Sequence, residues 1–299
     1  MKRATRLGYA REKRAGMLML APFLILFFIF TVLPILSSVV LSFFTYDMIS
    51  APSFYGIGNY IKMLTGDDMF PKTLRNTLLF AIVTGPLGYL LSFGLAWMIN
   101  ELNRFLRTAL SFLFYAPALA GNVYLIWQVL FSGDSYGYIN SLLLSLGLIT
   151  EPVQWLKSAV YTMPVVMLVQ LWMSMGVSFL ANIAGLQNVN PELYEAGCID
   201  GIRNRWAELW YITLPSMKSI LLFGAVMQIQ SAFSIGAVVT QLAGFPSVNY
   251  STDTLVTHLM DVGTSRYELG YASALSVFLF VLMALTRMVI GKLISSTGR

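Results

Sequence analysis

Few residues in this chain have the type and spacing to do chemistry. His258 and Cys198 are the single histidine and the single cysteine. One thiol excludes an internal disulfide and a Cys-based zinc cage, and one imidazole without an H-E-x-x-H partner leaves no His-rich metal site. His258 therefore reads as a surface or packing histidine. Cys198 has no histidine beside it to generate a thiolate and reads as a small helical side chain. Asp261-Val262-Gly263-Thr264 has the outline of an aspartic-protease D-T-G-T, but lacks the middle hydroxyl residue and a second copy. There is no G-x-S-x-G elbow, and no G-x-x-x-x-G-K-[ST] loop to cradle ATP phosphates. The sequence thus predicts no catalytic residue, no metal site and no bound cofactor. What remains is a set of neutral polar side chains inside apolar runs. Gln170, Ser174 and Val177 fall at i, i+4 and i+7; Gln228, Ser231 and Ile235 fall at i, i+3 and i+7; Asn122 and Tyr124 stand close to Trp127 and Gln128. Amides beside aromatic faces suit a ligand with many hydroxyls and apolar ring faces, and they equally suit helix–helix hydrogen bonding.

The elements that carry these residues are set by composition. The chain has 299 residues, of which 57% are hydrophobic and 11% charged, with mean hydropathy +0.70. That balance does not suit a water-solvated surface, and it identifies an integral membrane protein. Six apolar stretches match a hydrocarbon core of about 30 Å: roughly 17–44, 77–99, 108–131, 159–183, 219–242 and 271–290. Their length and lack of alternation predict helices, giving an all-α bundle of six transmembrane helices. The first run is too long for a signal h-region and ends without a small-residue cleavage pattern, so it reads as a retained anchor. Within the six cores there is no buried Asp, Glu, Lys or His pair, which argues against ion- or proton-coupled carriage and against a charged channel ring. A neutral polar cargo fits.

Orientation follows from the basic residues. With the N-terminus in the cytoplasm, 14 of the 19 Lys and Arg fall inside, including Arg203, Arg205, Lys218, Arg287 and Lys292. Lys62, Lys72, Arg75, Lys157 and Arg266 fall outside. Both termini are expected in the cytoplasm of a multi-pass protein of the cell membrane. The formal charge of +5 is a topological excess and calls for no nucleic-acid partner. The expected organisation is a basic tail over 1–16 and one membrane domain over 17–299.

The longest cytoplasmic segment, 185–215, is patterned as a helical hairpin between the fourth and fifth spans. Asn190 is placed to cap a helix whose first residue is Pro191, and Glu192 suits the positive end of its dipole. Leu193, Ala196, Gly197 and Asp200 follow on one small, apolar face, and Gly201 is the expected left-handed exit. A second helix is expected to start at Asn204, to place Trp206, Leu209, Trp210 and Thr213 on one side, and to end at Leu214-Pro215, where the fifth span opens.

These residues resemble the EAA loop of the membrane-spanning permease subunits of binding-protein-dependent ABC importers, in particular the carbohydrate-uptake branch that handles maltose and oligosaccharides. The motif reads Glu195-Ala196-Gly197, Asp200-Gly201 and Ile212-Thr213-Leu214-Pro215. Gly197 stands where the pattern has a second alanine, and ten residues instead of nine separate Gly201 from Ile212. Phe54–Leu64 and Tyr138–Leu148 are similar to the family's first external loop and short external helix, so the likeness covers essentially the whole chain.

The resemblance implies that the hairpin docks in a cleft of a cytoplasmic ABC ATPase dimer, which binds the ATP and magnesium. Glu195, Ala196, Gly197, Asp200 and Gly201 would make that contact, and Ile212, Leu214 and Pro215 would fix the return to the membrane. A carboxylate on a small-faced helix is suited to a groove with basic or backbone donors. The resemblance also implies a second, different permease subunit, an extracytoplasmic solute-binding protein and a sugar substrate. The path would be lined by Asn122, Tyr124, Gln170, Ser174, Gln228, Ser231 and Ile235. The competing reading is a carrier or scaffold that acts without an ATPase, its hairpin resting on lipid.

Overall fold

The computed structural model describes residues 16–119 and 123–296; the basic tail through Ala15 and the pathway candidate Asn122 lie outside them. The described chain is helical apart from one two-stranded ribbon, and it divides into two compact units. One comprises residues up to 66 with 261–278, the other 67–260 with 279 onward.

The first unit opens with helix α1, Gly16–Leu41, 26 residues of which none in its most apolar window is buried inside the protein. A helix that apolar on every face needs a hydrocarbon environment. Phe28–Val32 winds into a π turn, with Leu33 N–H reaching Phe28 O, just before Pro34. Proline has no N–H for the carbonyl four residues back, and a wider turn re-pairs the ladder around it. After α1 the chain forms antiparallel strands β1 (Phe44–Thr45) and β2 (Ser53–Phe54). Between them Asp47 Oδ1 accepts from Ser50 N–H (2.7 Å) and Ile49 N–H, and those bonds hold its carboxyl below the usual carboxylate range. Buried Asn59 donates to the Ser42 and Phe44 carbonyls at 2.9 Å, and Lys62 pairs with Glu268.

The second unit is organised around α2, Met69–Asn100, 32 residues long, or about 48 Å. Its start is capped by Asp67, whose Oδ1 accepts from Met69 and Phe70 N–H at 2.9 and 3.2 Å. One stripe is buried at helical spacing: Phe70, Thr73, Thr77, Phe80, Thr84, Gly88, Ser92, Ala96 and Ile99. The stripe is small or hydroxylated for most of its length, and Thr73, Thr77 and Thr84 donate back to carbonyls of their own helix. Small residues allow close helix approach where lipid supplies no hydrophobic drive.

Further helices follow as α3 (Arg104–Leu119), α4 (Tyr124–Leu130), α5 (Tyr138–Ser145), α6 (Thr162–Met173), α7 (Val177–Gln187), α8 (Pro191–Ile199), α9 (Arg205–Ser216), α10 (Lys218–Phe233), α11 (Gly236–Ala243), α12 (Leu255–Met260) and α13 (Leu269–Ser296). Helices α2, α7 and α10 pack on one another. Ala96, Phe179, Ile183, Leu186, Met217 and Leu221 form one core cluster, and Phe80, Val166, Val169, Ile235, Val238 and Val239 another.

The spans are less uniform than the six apolar runs suggest. Among the described residues four helices are long and apolar enough to cross a membrane, and the number reaches six only when each of two bent pairs counts as one span. The run 108–131 is divided between α3 and α4. The run 159–183 is broken at residues 174–176, where Gly176 leaves helical geometry. The run 219–242 is broken at Ser234–Ile235 into α10 and α11.

Candidate functional site

Two groups of residues were singled out by spacing, and the fold treats them in opposite ways. The hairpin is built from local rules. Asn190 Oδ1 accepts from Glu192 N–H at 3.2 Å, with Pro191 opening α8. At the other end Gly201 takes φ +90°, and Ile202 N–H bonds back to Gly197 O at 2.8 Å, which closes the terminal carbonyls. Asn204 caps α9 through a 3.0 Å bond from Trp206 N–H.

Helix α9 does not end at Leu214-Pro215. It continues to Ser216, with Leu209–Thr213 wound as a π turn and Leu214 N–H paired to Leu209 O. The chain then turns by 82° into α10. As at Pro34, the wide turn precedes a proline. It also redistributes the expected face: Leu209 and Thr213 are buried, whereas Trp206 and Trp210 are exposed. The four residues do not share one side.

Gly197 is buried on the inner side of α8, where a Cβ would lie 2.6 Å from Ile212 Cδ1. Tyr194 Oη and Thr213 Oγ1 are 3.0 Å apart. At the end of α2, Arg205 pairs with Glu101 at 3.1 Å and Trp206 packs on Trp97 with ring centroids 5.3 Å apart. These contacts hold α8 and α9 against each other and against α2. The opposite surface carries Glu192, Glu195, Ala196, Cys198, Asp200 and Ile199, all exposed, with Ile199 87% exposed. Glu195 and Asp200 have no side-chain partner among the described residues.

The intramembrane candidates are turned inward. Gln170, 3% exposed, donates from Nε2 to both Ser231 O and Ser231 Oγ at 3.0 Å, so two of the expected lining residues satisfy each other. Ser174 donates to Leu171 O at 2.9 Å. Gln228, 3% exposed, reaches Thr84 O at 3.3 Å and lies across Gly88, where a Cβ would overlap its Nε2 and sit 2.8 Å from Ser174 Oγ. Ile235 is fully buried in the Phe80–Val166 cluster, with Tyr124 and Trp127 packed on its edge.

The expected faces are not continuous. Val177, beyond the break at 174–176, is exposed while Gln170 and Ser174 are buried, and the break at Ser234 separates Ile235 from Gln228 and Ser231. Spacing also missed a polar cluster one turn further along. Ser92 and Ser178 hydroxyls are 3.3 Å apart, and Asn182 Nδ2 donates to Ser92 Oγ at 3.3 Å. The signal for it was the small residues at 84, 88, 92 and 96 on α2. Asn182 Oδ1 and Gln228 Oε1 are buried without a hydrogen-bond partner among the described residues.

Of the two expected roles, surface or packing, His258 takes the packing one. It is buried, and its Nε2 lies 2.7 Å from Oδ2 of Asp67, the residue that caps α2. Among the described residues no three His, Cys, Asp or Glu side chains converge as a metal would require.

Comparison with known proteins places these features in context. Residues 85–296 match the family model described as binding-protein-dependent transport system inner membrane component. The chain is 31% identical to the probable ABC transporter permease protein YesP of Bacillus subtilis, over 94% of this chain and 91% of that one. It is 30% identical to the arabinooligosaccharides transport system permease protein AraP of the same organism (95% and 90%) and 28% identical to the lactose transport system permease protein LacF of Rhizobium radiobacter (90% of each). In fold it is similar to a chain of the crystal structure of a bacterial ABC transporter involved in the import of the acidic polysaccharide alginate, with TM-score 0.79, 22% identity and coverage of 97% and 99%.

Proposed function

This chain belongs to the family of binding-protein-dependent transport system inner membrane components, an ABC transporter permease whose ATPase is a separate subunit, and on that premise we propose that it forms half of a sugar or oligosaccharide path and is driven through the 190–216 hairpin. Family membership removes the reading of a carrier or scaffold without an ATPase. The observation that carries the proposal is the two-sided hairpin. One side is pinned to α2 and α9, and the other presents Glu195, Ala196 and Asp200 around Ile199, all left exposed by the described residues. Such a surface suits insertion in a cleft that supplies donors to the carboxylates and apolar contact to Ile199. Gly197 and Gly201 act by letting α8 approach Ile212 and turn sharply; Ile212, Leu214 and Pro215 act by fixing the bend into α10.

The cargo reading rests on the chemistry of the interior and on the sugars named for the relatives. Gln170, Ser174, Gln228 and Ser231 are neutral hydrogen-bonding groups whose donors now bond one another or nearby backbone, and opening the helices would release them toward a polyhydroxylated solute. Tyr124 and Ile235 would flank that opening. The working complex then contains a second permease, an ATPase dimer and an extracytoplasmic solute-binding protein, with both termini of this chain in the cytoplasm. The test is Glu195→Lys in the reconstituted transporter. ATP-stimulated uptake is expected to be abolished while the membrane-inserted, folded amount is unchanged; normal coupled uptake would remove the hairpin from the coupling role.

A further inference from the structure

Between α10 and α13 the second unit carries a groove that neither the hairpin nor the enclosed amides use. Its volume is about 830 Å³, and every residue that lines it belongs to that unit. Val226 and Ile229 line one wall and Phe280, Met283 and Met288 the other, so most of its length is apolar. Gln230 and Ser234 add two exposed polar groups from the end of α10, and α13 supplies two cations, Arg287 and Lys292.

Nothing in either wall can neutralise these cations, because neither α10 nor α13 contains an Asp or Glu. Arg287 is exposed and has no carboxylate partner among the described residues. It lies five residues inside the end of the apolar span Leu269–Lys292, about 7.5 Å by helical rise. A guanidinium at that depth is costly unless it meets an anion or extends to the membrane surface. Lys292 stands at the end of the same span.

The groove is also open where a headgroup would sit. Gly291 follows Arg287 by four residues and so shares its face of the helix. A Cβ added at Gly291 would meet no heavy atom within 4 Å.

We propose that this groove holds an anionic phospholipid of the leaflet in which α13 ends, with its phosphate at Arg287 and Lys292 and an acyl chain along Met283 and Phe280. Lipid and groove are divided in the same way, charge at one end and hydrocarbon along the rest. A guanidinium can bind two phosphate oxygens at once, and basic pockets between membrane helices near the surface suit anionic headgroups. Methionine side chains adapt to a flexible chain. An acidic solute is the weaker occupant, since Met283, Ala284 and Met288 beside Arg287 offer its hydroxyls no hydrogen bond. A helix of another subunit is weaker too, because it would have to carry a carboxylate into the apolar span to meet Arg287.

The experiment uses the complete transporter in nanodiscs of phosphatidylcholine doped with phosphatidylglycerol. One lipid or the other carries a photoactivatable group in its acyl chain, and adducts on peptides covering 280–292 are quantified by mass spectrometry. Phosphatidylglycerol is expected to label these peptides about fivefold more than phosphatidylcholine, the factor that one cation near the surface supplies. Arg287→Gln should bring that ratio toward one. Gly291→Phe keeps both cations but fills the open space, and it should lower phosphatidylglycerol adducts by a similar factor; it carries the test if Arg287→Gln fails to insert. Equal labelling by the two lipids in the unmodified transporter overturns the proposal, as does a ratio that both variants leave unchanged. Absence of adducts on these peptides also overturns it, by showing the groove closed by another subunit. Loss of the preference when inorganic phosphate replaces chloride at equal ionic strength assigns the cations to a free anion, and loss on adding solute assigns them to the cargo; either result overturns it.

Discussion

The three-helix interior and the hairpin both carry polar groups and use them in opposite ways. Between α2, α7 and α10, Gln228, Ser92, Ser178 and Asn182 are buried and bonded across helices or to nearby backbone. On α8 and at its C-cap, Glu195 and Asp200 are exposed and have no side-chain partner among the described residues. The difference follows from the solvent each region must face. A polar side chain toward hydrocarbon is costly, so the interior turns its amides inward even at the expense of two unpaired oxygens. A short capped helix whose outer face is exposed has no such constraint, and Glu195 and Asp200 stay unpaired among the described residues. A polar residue in a span is therefore first a packing group.

Substitutions can break or sharpen this contrast. The largest effect is expected from Gly88→Val, because the first carbon added already collides with the Gln228 amide in a closed interior; overpacking there should cost about 3 kcal/mol, seen as a lower melting temperature in detergent. Gln170→Leu removes the two bonds to Ser231 and should cost about 1 kcal/mol. Uptake that falls only in proportion to folded protein would mark Gln170 as packing alone, whereas a larger fall would mark it as pathway. Gly197→Ala restores the residue usual in the motif and meets at close range the far end of the Ile212 side chain, with Ile202 at ordinary contact distance, so a loss of about 0.5 kcal/mol is expected by the same thermal assay. Glu195→Gln should leave melting unchanged within about 0.5 kcal/mol and still impair ATP-stimulated uptake; a drop in melting temperature would show the carboxylate to be structural.

Much of the hairpin was legible because its signals are local. Asn190, Pro191, Gly201 and Asn204 act within four residues of themselves, and each takes its expected place. The intramembrane faces were less legible. A face at i, i+4 and i+7 assumes an unbroken helix, and the interruptions at 174–176 and 234–235 redirect Val177 and Ile235. Across the π turn at Leu209–Thr213, Trp206 and Trp210 likewise stand exposed while Leu209 and Thr213 are buried. The His258–Asp67 pair joins residues 191 positions apart, a relation no spacing rule contains.

The sequence by itself determined that this chain lives in a bilayer, that it is helical, and that a capped hairpin interrupts its spans. Hydropathy and helix capping are properties of neighbouring residues, and they act wherever those residues occur. Only the tertiary structure decided which polar side chains are enclosed, which carboxylates stand free, and which cations lack a partner. Those outcomes depend on which helix lies opposite, and that is fixed by the packing of segments far apart in the chain.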